Sequence, residues 1–379
     1  MKVLHISLIG SVTDGLTYQD NLLPKFQKIE GHNVTMITSI YCFDKEGKIV
    51  NSQKFDYINE HGVRTFRLKP LIDLGINFRF KTFPNLYRKI EIVNPDIIFY
   101  HGVQSLDLLT VHRYIRRKKI KLIVDNHADY SNSMKNFFSK VILHRFIWRY
   151  IVQICDSSII KYFGVSPERC DFLKENYFVN SKKIFLLPLG YDDSILFDDF
   201  NLFLNKKINT SHKKILISGG KIDKYKAETL NLIQAFNKVK NNKLLLIIFG
   251  SVDKNIQYEF FQLLKNSINV HYLGWLNSKE IESIIRHSDV ALFPGRHSVL
   301  WEQCVAIGKP IIIKFWQGMD YLDLGGNLKY FQNLTVEGIK ETILNEVLIE
   351  ENFIKLQSAA KNENRMKFYY SRISKSSLL

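Results

Sequence analysis

The sequence predicts an α/β protein made of two doubly wound domains that face each other across a cleft. Three observations support this. Short apolar strands alternate with helical periodicity in the first half of the chain, which is typical of a mainly parallel sheet covered on both faces. A polar stretch, Asn205–Lys213, interrupts the alternation. The alternation then restarts, so each half has the size of an ordinary domain.

Length and composition exclude several classes of protein. The chain has 379 residues, and 46% of them are apolar, which excludes a disordered protein. Glycine and proline together number 27, about 7% of the chain against a usual ~12%, which excludes a fibrous or low-complexity protein. Apolar stretches such as Leu244–Gly250 are far shorter than the ~20 residues of a membrane-spanning helix.

Net charge and cysteine spacing indicate which classes of partner and which cellular compartment to expect. Lysine and arginine number 53 against 37 acidic residues, a formal charge of +16. The basic residues form no single helix face with a recognition motif, so we expect no nucleic-acid partner. The four cysteines form no CxxC pair and have no histidine at zinc-like spacing. This spacing favours a reducing, cytoplasmic location.

The individual strands follow from short apolar runs bounded by polar residues. In the first half they are Val3–Ile9, Val34–Thr38, Val63–Leu68, Ile97–Tyr100, Leu122–Val124 and Ser157–Ile160; in the second half they are Ile215–Ser218, Leu244–Phe249, His271–Leu273, Val290–Phe293 and Ile311–Lys314. Helical periodicity is clear at Asp20–Glu30 and Leu106–Arg117. Ligands bind open parallel sheets beyond the carboxyl ends of the strands, so the loops there are the expected site.

The loop after Ile215–Ser218 is the sharpest candidate. It carries Gly220, Lys221 and Lys226 just before a helix predicted to begin near Ala227. Lysines at a helix N-terminus oppose the helix dipole. The arrangement is favourable if an anion binds there and glycine admits it close to the backbone. A solvated lysine-rich loop explains the spacing equally well at this point.

The loop after Val290–Phe293 is a second candidate. Arg296 and His297 offer a guanidinium and an imidazole to a phosphate or a sugar. Ser298 is predicted to cap the helix that follows. Glu302, one turn in, can accept hydrogen bonds from the two vicinal hydroxyls of a ribose, although favourable interaction with the helix dipole explains it as well.

Two histidines and a glycine turn complete the candidates. His101 and His127 follow two strands of the first half, and each alone is more often a structural residue. Gly15 lies in the first strand-to-helix turn, which has no GxGxxG pattern. No Walker motif occurs anywhere in the chain. NAD binding of the Rossmann type and P-loop hydrolysis are therefore disfavoured.

These motifs, in this order, resemble the retaining glycosyltransferases of family 4, which have the two-domain GT-B fold. Gly220, Lys221 and Lys226 are similar to the family signature G-[RK]-x4-K, whose basic pair holds the donor diphosphate. Ile184–Asp192 resembles the segment that joins the two domains. The resemblance extends over nearly the whole chain and implies two Rossmann-like domains at 1–190 and 191–360, with a terminal helix at 361–379 that crosses back to the first.

The resemblance also assigns residues around the donor and acceptor. Pro95–His101 resembles the family's PDxxHxH strand, and His127 matches its acceptor-side histidine, which approaches the transferred sugar. Gly250 and Trp275 lie where the family lines the nucleotide and reads its base. By the same resemblance, Gly15 and Arg296–Ser298 belong to donor binding, and Glu302 matches the ribose-binding second glutamate of the Glu-x7-Glu motif.

One position departs from the family pattern. Pro294 stands where the first glutamate of that motif, which helps to hold the donor sugar, would be. The loop Gly295–Ser298 must then substitute, or donor-sugar recognition differs. Some capsule and surface-polysaccharide transferases share this variant of the motif.

The resemblance implies retaining transfer of a sugar from a nucleotide diphosphate sugar, with UDP as the expected nucleotide, to a growing, lipid-linked bacterial surface glycan. Lys221, Lys226 and His127 are the expected catalytic residues, with no cofactor and no metal. An inactive partner subunit and a nucleotide-sugar epimerase of related fold are the alternatives. Met134–Ile151 combines aromatic residues and cations, which predicts peripheral contact with the anionic inner face of the plasma membrane.

Overall fold

The computed structural model describes residues 1–44, 46–134, 136–194, 213–223 and 228–378. It contains two compact units. Unit 1 comprises Met1–Leu189 and the residues from Ile373 onward, and unit 2 comprises Gly190–Arg372. Lys226, one of the predicted catalytic residues, and most of the predicted linker Asn205–Lys213 lie outside the described residues.

Unit 1 is built on one large sheet. Its eight described strands run in the order β10-β9-β8-β7-β1-β2-β6-β5, and every neighbouring pair is parallel except β5 and β6. The strands are β1 (Lys2–Ser7), β2 (Asn33–Ser39), β5 (Asp56–Ile58), β6 (Arg64–Leu68), β7 (Ile97–Tyr100), β8 (Lys121–Asn126), β9 (Ile159–Gly164) and β10 (Ile184–Leu186). The central strands are buried almost throughout, because helices cover both faces of a parallel sheet.

The helices of unit 1 follow the strands in the expected alternation. They are α1 (Gln19–Ile29), α2 (Leu86–Val93), α3 (Leu108–Lys118), α4 (Tyr130–Ser133), a π-helix (Phe138–Trp148), α5 (Arg149–Cys155) and α6 (Pro167–Tyr177). Trp148, Val152 and Phe172 are buried beneath them in the core.

Some elements of unit 1 are absent from the sequence prediction. A hairpin of β3 (Tyr41–Phe43) and β4 (Ile49–Asn51), and the edge strands β5 and β10, have three residues each and are mostly exposed. At three residues each, they are too short to show the apolar runs and periodicity on which the prediction relied.

Unit 2 has a sheet of six described strands, all parallel, in the order β13-β12-β11-β14-β15-β16. The strands are β11 (Lys214–Gly219), β12 (Leu244–Phe249), β13 (Val270–Tyr272), β14 (Val290–Phe293), β15 (Ile311–Ile313) and β16 (Leu328–Tyr330); the helices are α7 (Glu228–Val239), α8 (Lys254–Lys265), α9 (Ser278–His287), α10 (Leu300–Ile307), α11 (Val336–Ile343) and α12 (Glu350–Ala360). The predicted α/β class with two parallel-sheet, Rossmann-like halves is thereby confirmed.

The segment 361–379, where a terminal helix is expected, contains two helical elements, and its residues from Ile373 onward belong to unit 1. A 3-10 helix, Glu363–Phe368, precedes α13 (Tyr370–Leu378), and Tyr369 between them is extended. Tyr191 donates its backbone N–H to the carbonyl of Phe368 and accepts from the N–H of Tyr370. These two hydrogen bonds hold the chain extended at Tyr369 and interrupt the helix.

Two loops of unit 2 touch at the carboxyl edge of the sheet. Gly219 pairs with Phe249 across β11 and β12. Gly220 and Gly250 follow with φ of +107° and +118°, in the region that favours glycine. A Cβ added to Gly250 would lie 1.9 Å from the carbonyl oxygen of Gly220. Only glycine permits this approach.

We expect Gly250→Ala to destabilise unit 2 more than Gly274→Ala. Gly274 also has a positive φ, but its added Cβ meets no atom within 4 Å, so its substitution costs only the backbone strain of about 1–2 kcal/mol. The clash at Gly250 should add about 1–3 kcal/mol. Urea unfolding of both variants measures the difference. Equal losses would show that the two loops separate readily.

Candidate active site

Buried ionisable side chains gather at the carboxyl edge of the sheet in unit 1. His101 follows β7, Asp125 lies near the end of β8, and His127 follows it. His101 Nδ1 is 2.8 Å from Asp125 Oδ2 and 3.0 Å from Asp20 Oδ1. His127 Nε2 is 3.4 Å from the same Asp125 oxygen, and its side chain is 43% exposed. We call these residues, together with His5, the histidine cluster.

A chain of hydrogen bonds continues from His101 through the interior. His101 Nε2 lies 3.0 Å from His5 Nδ1, and His5 Nε2 lies 2.7 Å from Gln27 Oε1. Gln27 Nε2 donates to Ser377 Oγ at 3.0 Å, and that hydroxyl donates to the carbonyl of Ser374. This series of hydrogen bonds therefore connects the terminal helix α13 to the histidine cluster.

This series of hydrogen bonds determines which ring nitrogens of His5 and His101 carry protons. Because the Gln27 amide donates to Ser377, its oxygen faces His5, whose Nε2 must carry the proton. Burial and the nearby charge of His101 lower the pKa of His5 to about 3, so its Nδ1 is unprotonated and accepts from His101 Nε2. Since His101 also donates from Nδ1 to Asp125, it is an imidazolium.

The electrostatics of the cluster agree with this assignment. Burial alone would lower the pKa of His101, but the charges of Asp125 and Asp20 outweigh it and raise that pKa. Burial would raise the pKa of Asp125, yet His127 and His101 hold it well below its usual range. Asp125 is thus an anion whose Oδ1 also accepts from the N–H of Gly102 at 2.8 Å. It directs His127 Nε2 inward and leaves Nδ1 for a ligand.

Among the described ranges, the potential metal-ligand atoms that converge belong to His101, Asp125 and His127, within 4.8 Å of one another. Both ring nitrogens of His101 already take part in hydrogen bonds within the protein. A metal ion would have to displace one of them and leave His5 or Asp125 without its partner. The arrangement therefore favours a proton over a metal ion between these groups.

In unit 2 the predicted glycines lie at one edge of the sheet. Gly250 donates its N–H to the carbonyl of Gly274 at 2.7 Å, so the loops after β11, β12 and β13 are joined. Lys221 directly follows Gly220; its side chain is 69% exposed, and its Nζ lies 3.9 Å from Asp223 Oδ2. Trp275, which follows Gly274, is 69% exposed. We call this group the glycine edge.

Glu302 is the centre of a second group in unit 2. Its side chain has no exposed surface. Its Oε1 lies 2.8 Å from His297 Nε2 and accepts from the hydroxyl of Tyr321, while Oε2 is buried without a hydrogen-bond partner. This unsatisfied oxygen suits a ligand hydroxyl. Because Glu302 is enclosed, such a hydroxyl can reach it only after a neighbouring side chain moves.

The loop before α10 differs slightly from the prediction. The capping position is Val299 rather than Ser298, although Ser298 Oγ accepts the N–H of Leu300 at 3.3 Å. Arg296 is half-buried in the same loop. Because β14 neighbours β11, this loop and the glycine edge share one edge of the sheet.

Gly15 lies in unit 1 with φ of +82°. Its backbone N–H donates to Glu60 Oε1 at 2.6 Å. A phosphate that used this amide would first have to displace the Glu60 carboxylate. The role of Gly15 in donor binding stays a prediction.

Family models match most of the chain. Residues 17–195 match the model described as Glycosyltransferase Family 4, and residues 201–313 match the model described as Glycosyl transferases group 1. The chain is a GT-B glycosyltransferase of the family 4 type. Its reaction is glycosyl transfer from a nucleotide sugar. A comparison of the sequence with curated proteins found no match.

Solved structures show the same fold at low sequence identity. Anabaena Alr3699/HepE in complex with UDP has a TM-score of 0.71 at 12% identity, over 99% of this chain and 98% of that one. A glycosyltransferase from Rickettsia africae ESF-5 has a TM-score of 0.69 at 15% identity, over 100% of this chain and 96% of that one. Sucrose-phosphate synthase from Thermosynechococcus elongatus has 0.68 at 12%, over 99% and 96%. At such identities the likeness shows the fold alone.

Sequence reasoning missed the inner part of the histidine cluster. His5, Gln27 and Ser377 lie far apart in the chain and match no motif. The available signal was polar residues at positions expected to be buried, such as His5 within an apolar strand. Tyr321, on a 3-10 turn, carried no signal.

The stability contribution of His101 should depend on pH. Its pKa is raised in the folded state, so the contribution is complete below the unfolded value of about 6.5 and is lost as the pH rises through the folded pKa. We therefore expect His101→Asn to lower the free energy of unfolding most strongly below pH 6.5. The loss there should exceed the loss at high pH by about 1.4 kcal/mol for each unit by which the pKa is raised. Urea unfolding across a pH series measures it.

His5→Asn is the matched control. The pKa of His5 is lowered to about 3, so its contribution is present above pH 6.5 and is lost as the pH falls toward 3. The two deficits should change with pH in opposite directions. A His101→Asn deficit that does not vary with pH would contradict the imidazolium.

Proposed function

We propose that this chain is a retaining, metal-independent glycosyltransferase that transfers a sugar from a UDP-sugar to a growing, lipid-linked bacterial surface glycan. The observation that carries the proposal is the convergence of the glycine edge, Lys221 and the Glu302 group on one edge of the unit 2 sheet. Backbone close to the ligand, cations and a hydroxyl acceptor are the groups that a nucleotide diphosphate requires. The UDP in the Anabaena structure of the same fold supports the choice of nucleotide.

Donor activation falls to lysines. The ammonium of Lys221, which is exposed, faces the diphosphate, and the family signature assigns Lys226 to the same role. Negative charge develops on this leaving group as the bond to the anomeric carbon breaks, and fixed cations lower the barrier. Glu302 Oε2 takes a ribose hydroxyl, and Trp275 stacks on the base.

The anomeric configuration is retained because the acceptor oxygen attacks the sugar on the same face from which the diphosphate leaves. The acceptor oxygen bonds to the anomeric carbon as the bond from that carbon to the diphosphate oxygen breaks, and the acceptor proton passes to a diphosphate oxygen. His127, oriented by Asp125, holds a hydroxyl of the transferred sugar through Nδ1. No carboxylate stands at position 294, so the loop Gly295–Ser298 contacts the sugar in its place.

Exposed apolar side chains along the π-helix and α5 support contact with a membrane. Phe138, Ile142, Phe146, Tyr150 and Ile154, at every fourth position, are all exposed, between 37% and 70%. We call them the aromatic row. The exposed cations Lys140 and Arg145 flank it. Apolar side chains beside cations suit the interface of an anionic bilayer. Among the described residues, no helix is long and apolar enough to span one. The aromatic row supports peripheral contact with an anionic membrane surface.

A transfer assay tests the reaction. With a UDP-sugar, a lipid-linked acceptor and excess EDTA, we expect turnover to persist and proton NMR to show the anomeric configuration of the donor in the product. Lys226→Met should lower kcat by ~10²–10³-fold, because one fixed charge at the leaving group is lost.

Lys224→Met is the control, since this lysine is two positions from Lys226 in the sequence but outside the signature. It should keep its turnover. Loss of activity in EDTA would refute metal independence, an inverted product would refute retention, and full activity of Lys226→Met would remove the signature lysine from the mechanism.

Membrane contact has its own test. Phe146→Glu removes one apolar side chain from the aromatic row and adds a charge that an anionic surface repels. Since a buried phenylalanine contributes about 1.5–3 kcal/mol, binding to phosphatidylglycerol vesicles should weaken at least about tenfold. Co-sedimentation measures it.

Tyr258→Glu is the matched control, because Tyr258 is 79% exposed on α8 of unit 2. It should leave vesicle binding unchanged. Equal binding by Phe146→Glu and the unaltered chain would exclude the aromatic row as the contact.

A further inference from the structure

A cavity of about 270 Å³ lies in unit 1. It is bounded by the loops that follow β1 and β7, the β3–β4 hairpin and the loop 76–83, from which Arg79 and Lys81 line it. Its volume is slightly below the ~300–1,000 Å³ of pockets that enclose drug-sized ligands. The cavity therefore suits one small head group rather than an extended molecule.

The cavity adjoins the histidine cluster. Ile9, in its wall, packs so closely on Gly102 that a Cβ there would lie 2.9 Å from its Cδ1. Gln104, also in the wall, donates to Asn126 Oδ1 at 2.8 Å, one residue before His127. The wall of the cavity is thus linked by direct contacts to Gly102 and to the loop that carries His127.

The two cations of the cavity lack anionic partners. Lys81 is buried and donates to the carbonyls of Ile76 and Phe78. An ammonium has three N–H groups, so one donor remains. Arg79 is exposed. Within the described part of the chain, no carboxylate oxygen lies within 4.0 Å of either cation.

The groups around Lys81 carry more positive than negative charge toward it. Burial and the charge of Arg79 lower the pKa of Lys81 to about 8, although Asp73 acts in the opposite direction. The Asp73 carboxylate is engaged elsewhere, since it accepts from the Tyr41 hydroxyl and from the N–H of Gly75. An anion in the cavity would relieve the repulsion between the two cations.

We propose that this cavity binds a phosphate group carried by the acceptor, held by Arg79 and Lys81. The inference rests on the proposed function and specifies the chemistry of its acceptor. Arginine and lysine are the side chains that hold phosphate oxygens through charge-assisted hydrogen bonds. Phe80, next to Arg79, packs on Trp148 of the π-helix with ring centroids 5.8 Å apart. The phosphate site is therefore attached to the helix that carries the aromatic row.

A lipid carrier or a free phosphosugar could supply the phosphate, and two probes separate them. Isothermal titration calorimetry on the full chain measures binding of two probes in separate experiments. One probe is glycerol 3-phosphate, and the other is polyprenyl phosphate in phosphatidylcholine vesicles. UDP is present at saturation, so that the expected diphosphate site of unit 2 is occupied. Arg79→Gln should weaken binding of both probes by about tenfold or more, the loss expected of a charge-assisted hydrogen bond. Much tighter binding of the vesicle probe identifies a lipid carrier, and equal binding identifies a soluble phosphosugar.

Arg88→Gln is the matched control, because Arg88 is exposed on α2 of the same unit and outside the cavity lining. It should bind both probes as the unaltered chain does. The proposal is overturned if Arg79→Gln binds both probes unchanged, or if the unaltered chain binds UDP but neither probe. A separate titration with UDP tests the proposed donor. If the unaltered chain does not bind UDP, that result counts against the proposed donor and not against the phosphate site.

Discussion

The expected acceptor side of this enzyme depends on the balance of one buried negative charge. Asp125 is removed from water, and such a carboxylate is stable only with a charged and hydrogen-bonded partner. His101 supplies both, because it lies between Asp125 and Asp20 as an imidazolium. His5, Gln27 and Ser377 then follow in a fixed pattern of donors and acceptors. The last residues of the chain therefore help to orient the side chain that positions His127.

Unit 2 approaches a ligand in a different way. Its glycine edge brings backbone into contact with backbone, which leaves room for a ligand and exposes polar main-chain groups. At this edge Lys221 is exposed, with its ammonium 3.9 Å from the Asp223 carboxylate. In the proposed reaction an exposed ammonium can meet a diphosphate that enters from solvent. The imidazole of His127, oriented by Asp125, would instead hold a neutral sugar hydroxyl.

Much of this architecture was predictable from local patterns. The central strands are continuous apolar runs, since a parallel sheet buries both faces, and β7 and β14 have the predicted bounds. The hairpin of β3 and β4 was not predicted, because strands of three residues each are too short to show a periodicity. The interruption of the terminal helix at Tyr369 was not predictable either. A pair of hydrogen bonds to Tyr191, more than 170 residues away, holds Tyr369 extended, and no local propensity encodes such a bond.

The sequence by itself determined the α/β class, the two halves, the family and the loops that carry the predicted site, because apolar periodicity and short motifs are local properties of the chain. Tertiary structure alone decided the protonation of His101, the burial of Glu302 and the pairing of Arg79 with Lys81 around a cavity. Each of these depends on which distant groups share a low-dielectric interior or a common surface. Charge and hydrogen bonding act over ångströms in space, and spacing along the sequence does not record them.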